Sequence, residues 1–103
     1  MGWDLDALIA EATVDCYGED EQQTGLFTMI EENLAVPFGA TILGVPVTVT
    51  AVEYTVDGRI VARCARDGMQ QQISLLDLPL PQPAPEGAEW VEAYRRWAGA
   101  AGQ

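Results

Sequence analysis

The sequence predicts an α+β fold: two N-terminal helices, a small antiparallel sheet of SH3-like curl, a proline-rich strap and a C-terminal aromatic helix. Three observations lead there. Apolar residues recur at helical spacing at both ends of the chain, at Leu5, Leu8, Ile9 and Ala12 and again at Trp90, Tyr94 and Trp97. The middle switches to a period of two, with Val45, Val47, Val49 and Ala51 alternating with Pro46, Thr48, Thr50 and Val52. Asp57-Gly58 and Asp67-Gly68 then punctuate it as hairpin turns.

Residues 4–15 read as an amphipathic helix, with Asp4 and Asp6 suited to its positive N-terminal end. Tyr17-Gly18 is expected to end it, because glycine takes the left-handed conformation that closes helices. Glu19, Asp20 and Glu21 follow as a short acidic loop. A second helix is expected over 22–34, with an apolar stripe of Leu26, Phe27, Ile30 and Leu34 and with Met29 beside it. Glu31, Glu32 and Asn33 close it, and acids at the negative end of a helix are unfavourable unless something compensates them. Pro37 and Gly39 stop the helix. Three strands then run as a meander, with a further strand around 40–43 completing a curled sheet. Residues 59–66 alternate arginine with small apolar residues, so one face of that strand should be wet. Prolines at 79, 81, 83 and 85 keep the next segment extended and out of any central ladder. It reads as a rigid strap rather than an exposed proline-rich ligand. The last helix is expected over 87–99, with acids at its start, Arg95 and Arg96 at its end, and an aromatic stripe facing a core. Residues 100–103 should fray. Asp77, in the word LLDLP, fits a turn-capping role.

A length of 103 residues allows one domain spanning 1–103 and one modest core. Five arginines against sixteen acids give a formal charge of −11. That charge repels phosphate backbones and anionic lipid, which argues against nucleic acid or membrane as partners. With no histidine there is no Ser-His-Asp triad, no Cys-His pair and no His-ligated metal. Ser74 is the sole serine, and no phosphate-binding loop is present, so the chain does not read as an enzyme. No signal-like N-terminus and no long apolar run occur. The chain therefore reads as cytoplasmic and monomeric, with Cys16 and Cys64 as reduced thiols at or near a core.

The charge is uneven. Eleven acids and no base fall within residues 1–58, and all five arginines lie after them. Such self-repulsion calls for a cation or a basic partner. Hard cations such as Ca²⁺ take six to eight oxygens from carboxylates, amides, carbonyls and water. Asp15, Glu19, Asp20, Glu21, Glu31, Glu32 and Asn33 offer those oxygens, as one joint cluster or as two sites, one in the loop and one at the helix end. No EF-hand is present: starting from Asp15, Tyr17 stands at position three and Asp20 where glycine is required.

Three stretches carry a resemblance to a known family. They are YGEDEQ at 17–22, IEENLAVPFGATILGVPVTV at 30–49 and LLDLPLPQPAPEGAEWVEAYRRW at 75–97. Over most of residues 15–97 the chain resembles the bacterial non-EF-hand calcium-binding family typified by the cyanobacterial calcium-binding protein CcbP. The resemblance implies a small acidic α/β protein that binds Ca²⁺ through carboxylates of its helical half, as buffer or sensor. The matching positions are Glu19, Asp20, Glu21, Glu31 and Glu32, with Asn33 as a neutral donor and Asp15 at the edge of the match. Bound Ca²⁺ would cancel local repulsion, clamp the helices and order the 19–21 loop. Two rival readings stand beside this one. The first is an acidic module that mimics nucleic-acid charge and engages an unidentified basic protein. The second is a peptide-binding module built on exposed Trp90, Tyr94 and Trp97.

Overall fold

The computed structural model describes residues 3–101. The first helix, α1, spans Leu5–Ala12 and is capped by Asp4, whose carboxylate accepts the Ala7 amide at 3.1 Å. It stops three residues before the expected end. The Thr13 amide and hydroxyl both donate to the Ile9 carbonyl, at 3.0 and 2.7 Å, which closes the last turn. Asp15 then takes φ +64°, a left-handed conformation that carries the chain away from the helix.

Gly18 is therefore not the terminator of α1. It is the extended N-cap residue of α2, Glu19–Asn33, and this corrects the expected loop: Glu19, Asp20 and Glu21 form the first turn of α2. The reason is electrostatic and local. Three carboxylates lie at the positive end of the helix, and the Glu21 carboxylate accepts the Tyr17 amide at 3.0 Å, in the manner of a capping box.

The third helix, α3, spans Ala88–Ala101 and runs past the expected end at Gly99. Ala100 and Ala101 are helical rather than frayed, while residues 102–103 lie outside the described residues. All three helices belong to one compact unit, which runs up to Leu34 and resumes at Glu86. Its buried side chains include Leu26, Ile30, Leu34, Trp90, Val91 and Tyr94. Burying each large one contributes roughly 2 kcal/mol by removing apolar surface from water. Two glycines set how closely the helices approach. A Cβ on Gly25 would lie 2.2 Å from the Ala12 carbonyl oxygen, so α2 meets the end of α1 backbone to backbone. A Cβ on Gly87 would lie 2.1 Å from the Asn33 carbonyl oxygen, and Gly87 itself has φ +88°. The N-terminal end of α3 thus abuts the C-terminal end of α2. Side chains fasten the rest: Trp97 Nε1 donates to Gln22 Oε1 at 2.9 Å, and Arg96 grips Asp6 with two bonds of 2.7 and 3.1 Å.

The second compact unit is Ala35–Pro85. It holds a four-stranded antiparallel sheet in the order β1-β2-β3-β4: Phe38–Ile42, Val45–Tyr54, Ile60–Arg66 and Met69–Ser74. Two-residue turns at Leu43-Gly44 and Asp67-Gly68 join the outer hairpins. Both residues of each turn have positive φ, between 52° and 80°, which is type I′ geometry. Asp57-Gly58 differs from expectation. Tyr54 pairs with Ile60, so the connection is a five-residue loop in which Gly58 alone has positive φ. The Thr55 hydroxyl organises that loop by donating to Asp57 and accepting the Arg59 amide at 3.0 Å.

The expected wet face of β3 is found only from Arg63 onward, where Arg63 and Ala65 are partly exposed on either side of buried Cys64. Ile60, Val61 and Ala62 are buried in succession, so this inner strand is covered on both faces at its start. Beyond β4, a 3₁₀ turn at Leu75–Asp77 is capped by Ser74, whose hydroxyl accepts the Leu76 amide at 3.3 Å; the capping role expected of Asp77 belongs to Ser74. Leu75 and Leu78 anchor the strap as buried side chains. Pro79, Leu80 and Pro81 then share a shallow concavity with Gly39–Thr41 of β1 and with Pro46 and Val47 of β2. Among the described residues, no helix is long and apolar enough to cross a membrane.

Candidate functional site

The ion pairs decide which acids remain available. Every arginine is engaged: Arg59 with Asp57, Arg63 with Glu53, Arg66 with Asp67, Arg95 with Glu92 and Arg96 with Asp6. Sixteen acids less those five leave eleven outside these pairs among the described residues. All six carboxylates singled out from the sequence are among the eleven. Two of the paired acids, Asp6 and Asp57, are held below the usual carboxylate range. The Arg96 guanidinium holds the Asp6 carboxyl below the usual carboxylate range, first by hydrogen bonding and then by its charge. The Asp57 carboxyl is lowered chiefly by the Thr55 hydroxyl.

The seven candidate residues, Asp15, Glu19, Asp20, Glu21, Glu31, Glu32 and Asn33, are all exposed. Their placement separates them into two groups. Glu19, Asp20 and Glu21 occupy the first turn of α2, with Asp15 in the turn before it; Glu31, Glu32 and Asn33 occupy the last turn. At 1.5 Å per residue, the two ends of α2 are about 18 Å apart along the axis. Calcium–oxygen distances are about 2.3–2.6 Å, so no single ion joins the groups. The Asn33 amide nitrogen donates to the Met29 carbonyl at 2.8 Å, which leaves its amide oxygen as the atom of interest.

The donor chemistry, carboxylate and amide oxygen, suits a hard cation. The arrangement is looser than a ready-made cage. Among the described residues, no three acidic or thiol side chains gather around a common point. Successive positions on a helix also project about 100° apart, so neighbouring acids in one turn diverge. The acids at the end of α2 have a compensating neighbour already, because the positive end of α3 begins beside Asn33.

The aromatic rival surface is not built as expected. Trp90 and Tyr94 are buried, and Tyr94 stacks on the half-buried Trp97 at a centroid distance of 6.2 Å. Their burial removes the peptide-binding reading that needed those rings exposed. Both cysteines are free thiols: Cys16 is half-buried and its Sγ lies 3.4 Å from the Glu21 carbonyl oxygen, while Cys64 is buried.

Sequence reasoning missed one feature of the sheet unit. A concavity of about 360 Å³ opens over Ile42, Val45, Val47, Cys64, Met69 and Ile73. Leu43 and Met69 are its exposed lips, at 98% and 70% exposure. The legible signal was the run of three uncharged glutamines, Gln70 to Gln72, on a strand with no charged residue.

No protein-family model matches the chain, and neither a curated protein nor a solved structure does.

Proposed function

We propose that this chain is a non-catalytic, cytoplasmic, monomeric Ca²⁺-binding protein that uses the exposed carboxylates at the two ends of α2. One observation carries the reading. All five arginines are committed to other acids, so Asp15, Glu19, Asp20, Glu21, Glu31 and Glu32 face solvent with no arginine partner among the described residues. The unit that holds them has twelve acids and two arginines, a charge of −10. The resemblance to the non-EF-hand family of CcbP supports the same reading, through the words at 17–22, 30–49 and 75–97. The SH3-like curl belongs to the proposal as well. It is supported by the break in register between Val49 and Ala51, which bends β2, and by the concavity over the sheet.

The helical placement changes the expected mechanism. Glu19–Glu21 are already in a helix turn, so a cation finds no loop to order there. Two separate groups, each completed by backbone carbonyls and water, would hold one ion apiece. Such sites lower repulsion without creating a new surface, which is the behaviour of a buffer rather than a sensor.

Isothermal titration of metal-stripped protein with Ca²⁺ tests this, repeated in excess Mg²⁺ and in about 0.15 M salt. The expected result is a saturable isotherm of up to two ions that survives both conditions. Glu31→Gln with Glu32→Gln should abolish one ion, and Glu19→Gln with Glu21→Gln the other. A featureless isotherm, or one abolished by salt or Mg²⁺, overturns the reading.

A second reading is favoured by the absence of any three-donor cluster among the described residues. The spread of exposed acids over the helical unit suits a basic protein partner better than a point charge. Each Glu→Gln change would then weaken binding only slightly, and the salt dependence would be steep.

A further inference from the structure

The sheet has two edges, and they are treated differently. Pro79, Leu80 and Pro81 line a concavity with Gly39, Ala40 and Thr41 of β1, so prolines lie near that strand. At the other side β4 pairs with β3 alone among the described residues, in unbroken register from Val61↔Ser74 to Arg66↔Met69. It lacks three of the usual protections, having no charge, no proline and no bulge. Gln70, Gln71 and Gln72 are exposed along it. A bare edge offers a row of unmatched amides and carbonyls to another strand.

The two faces of β4 are unlike. The register places Gln72 opposite Arg63, and Gln72 Nε2 donates to Glu53 at 2.7 Å, so that face is a polar network. Met69, Gln71 and Ile73 lie on the other face and line the mostly apolar concavity together with Ile42, Val45 and Val47, with the Arg66–Asp67 ion pair in its lining. A strand laid along β4 would turn alternate side chains toward that concavity. This is strand addition, in which main-chain bonds supply affinity and a pocket for every second side chain supplies specificity.

From this we infer that β4 is a docking edge for an extended segment of a basic partner protein, with apolar residues at alternate positions. Charge selects the occupant. A second copy would bring −11 against −11, whereas a basic segment is drawn in by the same field. The strand itself is uncharged, so it repels neither. For the sign of the partner's charge, the inference rests on the second reading above.

The probe is a short capped peptide that alternates valine with lysine and threonine, compared with the same peptide N-methylated at alternate residues. Binding is followed by backbone amide shifts and amide hydrogen exchange of the intact protein. The expected result is new protection at β4 amides with the plain peptide and an affinity at least about tenfold weaker for the N-methylated one. Gln71→Arg, an exposed change on the concave face, should weaken the plain peptide by a similar factor and leave the spectrum folded. Equal binding of both peptides, with shifts confined to the acids of α2, overturns the edge assignment while the basic-partner reading stands. No binding of either peptide overturns it too. Protection of β4 in a peptide-free dimer strengthened by salt overturns it in favour of a second copy.

Discussion

The helical unit carries a charge of −10, whereas the sheet unit, with four acids and three arginines, carries −1. The helical unit places acids at the ends of its helices and lets two glycines bring backbones into contact. The sheet unit pairs Glu53 with Arg63 across strands beside Gln72, keeps its other two ion pairs local at turns, and has Gly44, Gly58 and Gly68 at turns. The contrast shows that one residue type does two different jobs. Gly25 and Gly87 are there because a side chain would strike a carbonyl; Gly44, Gly58 and Gly68 have open space around them and serve only a positive φ.

That contrast gives the largest expected effect. Gly87→Ala combines a left-handed φ with a Cβ 2.1 Å from the Asn33 carbonyl oxygen, so α3 must move off α2. A loss of about 4 kcal/mol or more is expected, at the severe end for single substitutions. Gly25→Ala, whose obstacle is the Ala12 carbonyl oxygen, should be nearly as costly. Gly44→Ala meets no atom within 4 Å and should cost only about 1–2 kcal/mol of conformational strain. Urea unfolding of the three variants measures this. Equal losses at Gly44 and Gly87 would break the distinction between contact and turn.

The fold was legible in the sequence where period and turn chemistry agree. The 3.6-residue stripes placed Leu26, Ile30 and Leu34 in a core, and all three are buried. The Asp67-Gly68 turn was readable because both residues suit a left-handed backbone. Leu43-Gly44 was not, because leucine at φ 52° is not a turn signal. The acidic loop was misread because Gly18 serves equally well to end one helix or to begin the next. What decided it was Thr13, whose hydroxyl closes α1 early. The candidate site was legible as composition but not as geometry. A list of acids carries no information about which arginines reach them, and Asp6 finds Arg96 across ninety positions of chain.

The two thiols sharpen the comparison at intermediate size. Cys64 is buried in the sheet unit, and burial pushes its pKa up, whereas Cys16 in the helical unit is half-buried. A thiol raised in the folded state binds its proton more tightly there than in the unfolded chain. Its contribution is therefore full below the ordinary thiol pKa and is lost as pH rises through the raised value. Stability should fall on the alkaline side of pH 9, the ordinary value, and Cys64→Val should remove that part of the fall. A thiol reagent should modify Cys16 in the native protein and Cys64 only on unfolding. Equal rates would show that the sheet unit opens as freely as the helical one.

The smallest effect concerns the paired acids at the surface, one in each unit. Asp6 ties α1 to α3 through Arg96, and Asp57 ties its own loop through Thr55. Both carboxyls are held below the ordinary range, so each contributes stability above that range, and the contribution is lost as pH falls through the lowered value. Both are exposed, and solvent screens them. Asp6→Asn should therefore lower the unfolding midpoint slightly at neutral pH, and the gap from wild type should close as the medium is acidified below the ordinary carboxylate value of 3.8. The two positions should part in salt. The Asp6 gap depends on an arginine and should shrink as salt is added. The Asp57 gap depends first on a neutral hydroxyl and should persist. Thermal unfolding of both Asn variants at low and high salt makes the comparison. Equal salt sensitivity would mean that Arg59, not Thr55, is what holds Asp57 in its charged form.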